Sequence, residues 1–214
     1  MAGCWVFPAA PAVSNTAATT LLFLAAAAVA RRSTVPRRYQ WSIVAGLGFS
    51  ALGDAFLMQT TDWFTAGLGS FLAAHLCYLA ALTSDHPPLR RKLPFIVWGA
   101  FGVVFISSLW RGIPGPQRVP VLLYTTVLLT MAGQAASRAL ELHDRAAIAA
   151  ALGAALFVVS DSVLAFQRFR HSLEGGRFIV LGTYFAAQGG IALSVELYAR
   201  TREHRAEQRT VSPG

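Results

Sequence analysis

Charge is scarce in this sequence. Asp, Glu, Lys and Arg together make up 13% of its 214 residues, about half the share found in an ordinary soluble domain. That shortage excludes a solvated globular surface. Cysteine is rarer still. Cys4 lies in the N-terminal tail and Cys77 inside an apolar run, so neither a disulfide framework nor a zinc cluster is supported. Lys92 is the single lysine. No stretch alternates polar and apolar residues with period two, which disfavours a β-barrel. A Gly-x-Ser-x-Gly elbow, a His-Glu-x-x-His pair and a Walker-type glycine loop are also missing, which removes three common catalytic or nucleotide-binding designs.

What is present is apolar. Hydrophobic residues make up 55% of the chain and the mean hydropathy is +0.50. Seven runs of spanning length can be marked, at 13–30, 40–58, 63–83, 94–110, 119–137, 146–166 and 178–198. About 20 apolar residues at 1.5 Å each cross a bilayer core. Each run satisfies its own backbone as a helix, so the expected fold is all-α, a polytopic transmembrane bundle of about seven spans. Residues 1–12 read as a tail, 13–199 as the bundle, and 200–214 as a polar, disordered C-terminal segment.

The net charge of +8 does not call for nucleic acid, because the basic residues sit between the apolar runs. One alternate set of loops (31–38, 84–93, 138–145 and beyond 199) holds 13 of the 18 Lys and Arg, and the other set holds 5. By the positive-inside rule the richer set is cytosolic, with the N-terminus non-cytosolic and the C-terminus cytosolic. The first run lacks the leading positive charges of a signal peptide and reads as a span.

Two runs close on an acid. Asp54 ends the second and Asp161 lies in the sixth, and a carboxylate within a spanning helix is a functional-site candidate by default. Ser50 lies one turn before Asp54 and is expected to donate to it; Ser160 adjoins Asp161. His75 and Tyr78 share a face of the third run, and Tyr184 and Gln188 a face of the seventh. Counting from the run ends, Asp54, Asp161 and Tyr184 lie about 8–9 Å below the non-cytosolic boundary, Gln188 one turn deeper, and His75 about 18 Å down. One cavity opening to that side can therefore hold them all. Run two with Asp54 before Ala73-Ala74-His75, and run six with Asp161 before Ala186-Ala187-Gln188, also read as a two-half internal repeat. Asn15, Thr16, Thr19 and Thr20 form a polar stripe on the first run, read as helix-packing glue. Tyr124 and Gln134 on the fifth run are assigned no chemistry.

Two carboxyls in one apolar cavity do not both ionise, which gives a protonated acid beside a carboxylate. That is a general acid/base couple. The structural alternative is that each Asp pairs with Ser50, Ser160, a tyrosine or His75 to fix packing. One central His with two Asp falls short of an ordinary zinc set, so no metal and no cofactor is expected.

Four motifs, Gly53-Asp54-Ala55-Phe56-Leu57, Ala74-His75-Leu76-Cys77-Tyr78, Ser160-Asp161-Ser162-Val163-Leu164-Ala165 and Thr183-Tyr184-Phe185-Ala186-Ala187-Gln188, resemble those of the YhhN-like lysoplasmalogenase family in order and spacing. The resemblance implies a membrane hydrolase that cleaves the vinyl ether of a lysoplasmalogen, a lysophospholipid, to a fatty aldehyde and a glycerophospho-choline or -ethanolamine. It implies eight spans, one more than the seven visible, and in many members a lysine on the helix matching the first run, which this chain lacks. Asp54 and Asp161 would share the acid and base roles. His75 and Tyr184 would orient them or bind the head group, and Gln188 would position water. A proton-coupled transporter or lipid-binding membrane protein using the same Asp pair is the alternative. The topology itself is testable: a reporter active only in the cytosol should work when fused after Gly214 and fail before Met1. The reverse pattern would overturn the assignment.

Overall fold

The computed structural model describes residues 35–58 and 63–211, with side chains described through 203. Six α-helices fill these segments: α1 Arg37–Leu57, α2 Phe64–Leu82, α3 Lys92–Leu109, α4 Gly115–Leu142, α5 Arg145–Phe169 and α6 Gly176–Val211. A 3-10 turn, Trp110–Gly112, follows α3, and no strand occurs among the described residues. The helices fall on six of the seven apolar runs. The first run with its Asn15–Thr20 stripe, and Cys4, lie outside the described residues.

All except α1 are long and apolar enough to cross a membrane. α1 has 21 residues, long enough for a span at about 1.5 Å per residue, but Gln40 and Asp54 make it less apolar. The chain is thus an all-α, multi-pass integral membrane protein. Its outward surface agrees: Val103 and Val104 on α3 are 69% and 71% exposed, which suits hydrocarbon as solvent.

Local chemistry sets several helix ends. The Asp144 side chain caps α5 by accepting the Ala147 N–H at 2.7 Å, satisfying one of the orphan donors of the first turn. α4 follows Pro114 and ends at His143, which adopts a left-handed conformation. α6 does not stop at residue 199. It continues to Val211 through the polar segment assigned above to a disordered tail. The Glu196–Arg200 ion pair, 2.5 Å and one turn apart, lies where that continuation begins, and pairs at this spacing support a helix.

Packing is most extensive between α5 and α6 and between α1 and α2, two pairs joined by short connections. α2 and α5 each also pack on α4, and α6 closes back on α1. The helices α1, α2, α4, α5 and α6 therefore form a ring with a shared interior. α3 lies outside it against α4 and buries only Pro94, Gly102 and Leu109. Small residues let the backbones approach. A Cβ on Gly153 of α5 would stand 2.8 Å from the Ala187 carbonyl oxygen of α6. On Gly46 of α1 it would stand 2.2 Å from Cε1 of Tyr78.

One end of the ring is closed by a buried ion pair. Arg138 of α4, fully buried, donates from Nε to Asp85 Oδ1 at 3.0 Å and from Nη2 to Oδ2 at 2.7 Å. Asp85 sits in the α2–α3 connection. The guanidinium lies 5.1 Å from the Tyr39 ring centroid and 5.6 Å from that of Tyr198, and Tyr39 pairs with Ser194 Oγ at 2.8 Å. Four parts of the chain (α1, the α2–α3 connection, α4 and α6) are thereby tied together. Arg138 was counted above only as a loop charge; it is a core residue.

Removing one partner leaves a buried charge. Asp85→Ala should lower stability in detergent by about 3–5 kcal/mol, read as a fall in the thermal midpoint, whereas Asp85→Ala with Arg138→Met should recover most of it. Gly46→Ala should also lower the midpoint, by about 1–3 kcal/mol of overpacking against Tyr78. Gly69→Ala, where nothing lies within 4 Å of the new Cβ, should leave it unchanged or raise it. Equal effects at the two glycines would remove the packing account.

Candidate active site

Helical spacing brings polar and aromatic side chains to the ring interior in sets that share a face. Ser50 and Asp54 of α1, Phe157 and Asp161 of α5, and Tyr184 and Gln188 of α6 are each i, i+4, while α2 supplies Phe71, His75 and Tyr78 at i, i+4 and i+7. Such positions share one helix face. α4 adds Tyr124. Every helix of the ring thus contributes to a single cluster.

A continuous hydrogen-bonded chain ends on Asp54. Tyr184 OH donates to Asp54 Oδ2 at 2.9 Å. Gln188 Nε2 donates to Tyr184 OH at 2.9 Å, and Gln188 Oε1 accepts from Tyr78 OH at 2.9 Å. Ser50 Oγ lies 3.2 Å from Tyr78 OH. Because the Tyr78 proton is already directed at Gln188, Ser50 is the donor in that last pair. Every donor points the same way, toward the carboxylate, and Gln188 has one amide orientation that serves both neighbours. Ser50, Tyr78 and Gln188 are buried; Asp54 is half-buried.

Asp161, also half-buried, accepts from Tyr124 OH at Oδ2. A hydroxyl donating to an ionised oxygen is among the stronger hydrogen bonds in a protein. Between the two carboxylate arms stands an aromatic wall. His75 packs edge-on against Tyr124 at 5.4 Å, Phe157 at 5.0 Å and Tyr78 at 6.0 Å. Phe157 in turn packs against Tyr184 at 5.6 Å. Asp54 and Asp161 are therefore each one tyrosine away from a common core. His75 is fully buried with Nδ1 2.6 Å from the Phe71 carbonyl oxygen. That contact places the proton on Nδ1 and leaves Nε2, which has no partner, as an acceptor inside the cluster.

Several partners differ from those expected. Ser50 bonds Tyr78 rather than Asp54. Ser160 donates to the Val180 carbonyl at 3.1 Å and so fastens α5 to α6. Tyr124, assigned no chemistry above, is the partner of Asp161. The available signal was a lone hydroxyl aromatic about two and a half turns into its helix, at the depth of Tyr184. Among the described residues no group of three His, Cys, Asp or Glu is placed to hold a metal ion.

Comparison with known proteins agrees with the four motifs. The YhhN family model matches residues 13–195. Lysoplasmalogenase TMEM86A of Bos taurus is 34% identical over 157 residues, covering 71% of this chain and 64% of the relative. Lysoplasmalogenase TMEM86B of Rattus norvegicus is 34% identical over 156 residues, covering 73% and 62%. The lysoplasmalogenase of Mycobacterium tuberculosis is 32% identical over 181 residues, covering 80% and 65%. These matches span just under two thirds of each relative's own length. No solved structure matches significantly. With the family's motifs carried on the interior of one helical ring, and the family model covering most of its length, the chain belongs to the YhhN family.

Proposed function

We propose that this protein hydrolyses the vinyl ether bond of lysoplasmalogens, with Asp54 and Asp161 as its acid/base pair. The observation that carries the proposal is that both half-buried carboxylates are held by tyrosines of one aromatic cluster, in a chain whose relatives are named lysoplasmalogenases.

A vinyl ether breaks after protonation of its β-carbon. The protonated member of the Asp pair delivers that proton, and the carbon bound to oxygen becomes an oxocarbenium centre. The other carboxylate stabilises the positive charge and takes a proton from water as its oxygen adds to that centre. The resulting hemiacetal loses its hydroxyl proton as the bond to the glycerol oxygen breaks and that oxygen is protonated. Aldehyde and glycerophospho-alcohol leave, one water is consumed, and the pair returns to its starting charge.

Tyr184 and Tyr124 hold each carboxylate from a second helix, so that neither swings when its charge changes. Gln188 and Tyr78 fix Tyr184 in turn, and His75 Nε2 offers an acceptor to a water within the cluster. With the N-terminus non-cytosolic, the site opens in the non-cytosolic half of the bilayer and takes its substrate from that side. A proton-coupled transporter could use the same acids. The Arg138–Asp85 closure at the opposite end of the ring supports one-sided access, and with it the enzyme.

Purified protein in detergent separates the two readings, since a hydrolase releases aldehyde from lysoplasmalogen without a sealed membrane. Asp54→Asn and Asp161→Asn should each lower turnover by about 10²–10⁴-fold while the thermal midpoint stays near wild type. Tyr124→Phe, which removes one hydrogen bond to a charged group, should cost about 10- to 100-fold. Near-normal aldehyde release in both Asn variants would sink the mechanism.

A further inference from the structure

The helix faces that carry the site run on past it, toward the end of the ring opposite Arg138 and Asp85, and two of them end in arginine. Asp161 is followed seven residues later by Arg168, in the last turn of α5. Tyr184 is preceded by seven residues by Arg177, in the first turn of α6. Seven residues are close to two full turns, so each arginine lies on the same side of its helix as the site residue, about 10 Å farther along the axis. Exposure along α6 follows the same line. Arg177, Val180 and Leu181 are half-buried and Tyr184 and Gln188 buried, while Phe178 and Ile179 on the outer side are 80% and 48% exposed.

α2 supplies a facing wall in the same register. Phe64 stands seven residues before Phe71, whose ring packs edge-on against Tyr184 at 6.0 Å. The Arg168 guanidinium lies over the Phe64 ring, 4.7 Å from its centroid. α4 separates α2 from α5 in the ring, so this contact reaches from one wall to another and turns the half-buried Arg168 inward, away from lipid. A guanidinium laid on a ring keeps its N–H groups in its own plane, the geometry that meets phosphate oxygens in pairs. The remaining arginines of this end are placed elsewhere. Arg118 lies over Trp110 at 4.8 Å, Arg170 donates to the Ser108 carbonyl, and Arg111 is exposed.

We propose that Arg168 and Arg177 bind the phosphodiester of the substrate at the mouth of the site, with its vinyl ether then level with Asp54 and Asp161. The inference rests on the hydrolysis proposed above and names the part of the substrate that is recognised. In a lysoplasmalogen the glycerol unit separates the phosphate from the vinyl ether. Extended, it covers most of the distance between the level of the arginines and that of the acids, and the reach of the side chains covers the rest. Two cations at that level select a phosphate-bearing substrate over an alkenylglycerol that has the same chain and the same reacting bond.

The test uses the full chain in detergent and two substrates with one alkenyl chain: a 1-O-alkenyl lysophosphatidylcholine and the phosphate-free 1-O-alkenylglycerol. Aldehyde release gives kcat and KM for each. In the wild type the alkenylglycerol should show the higher KM. Arg168→Gln and Arg177→Gln should each raise KM for the phospholipid by about tenfold, the loss of one hydrogen bond to a charged group. They should lower its kcat less than they raise its KM, and should leave the alkenylglycerol unchanged. Arg168→Lys, which keeps the charge but not the planar fork, should recover part of the loss, and Arg111→Gln should change neither substrate. The inference is overturned if the wild type handles both substrates equally, if the two Gln variants raise KM for both alike or for neither, or if Arg111→Gln matches them. Failure of the hydrolysis itself looks different, because no aldehyde then leaves either substrate. Binding alone reads the phosphate site in that case. A saturated 1-O-alkyl lysophosphatidylcholine should raise the thermal midpoint of the wild type but not that of the Arg168→Gln, Arg177→Gln double variant, and an unmoved wild-type midpoint overturns the site as well.

Discussion

A carboxylate in the interior of a membrane bundle needs a donor that no single helix supplies at the right place. Asp54 and Asp161 meet that need in the same way, each through a tyrosine hydroxyl from another helix: α6 reaches α1, and α4 reaches α5. Much of the ring follows from these two reaches. A tyrosine ring must lie in the interior to make either bond, and six aromatic rings (Phe71, His75, Tyr78, Tyr124, Phe157 and Tyr184) can be gathered there only where the opposing backbone is bare. Gly46 faces the Tyr78 ring and Gly53 the Phe71 ring, each closer than a Cβ would tolerate. The polar chain and the glycines are therefore one design, in which small residues make room for the side chains that keep the acids paired.

The two ends of the ring are built for different purposes. Toward one end lie the two half-buried acids. At the other, Arg138 and Asp85 form a bidentate pair flanked by Tyr39 and Tyr198, and the connection carrying Asp85 is drawn down onto α4. An isolated arginine there would be costly, and so would an isolated aspartate. Pairing them seals the interior with groups whose mutual attraction is strong in a low dielectric. A pathway through the bundle would have to dismantle that pair. A pocket entered from one side leaves it untouched.

Helix positions and the two acids are legible in the sequence because both depend on local spacing. An apolar run of spanning length dictates a helix wherever it lies, and an Asp within it stands out by chemistry alone. Partners across helices are another matter. The i, i+4 relation of Ser50 to Asp54 is real, yet Ser50 turns to Tyr78, because the incoming Tyr184 hydroxyl supplies the carboxylate instead. Tyr124 is inconspicuous among Thr125, Thr126 and a run of leucines until α4 is seen to sit between α2 and α5. Arg138 falls at the edge of its apolar run and reads as a topogenic charge. Only the folding of the α2–α3 connection over it shows otherwise. The helix past residue 199 is hidden by its polarity, which is a poor guide where Arg, Glu, Ala and Gln, all good helix formers, make up most of residues 200–211.

The asymmetry between the two acids bears on which does what. Asp54 sits at the terminus of a relay of four donors (Ser50, Tyr78, Gln188 and Tyr184), so its position is fixed by three helices and its donor is itself held. Asp161 has Tyr124, whose ring rests against His75. A group that must hold one geometry while charge develops nearby benefits from a rigid, pre-oriented set of donors, since no reorganisation is then required at the moment of reaction. A group that must give up and regain a proton benefits from fewer fixed partners and from a nearby acceptor. On that physical ground, if the proposed acid/base pair operates, the relay would suit Asp54 to the role of standing carboxylate. In the mechanism proposed above, Asp161, held by Tyr124 alone among the described bonds, would then carry the mobile proton.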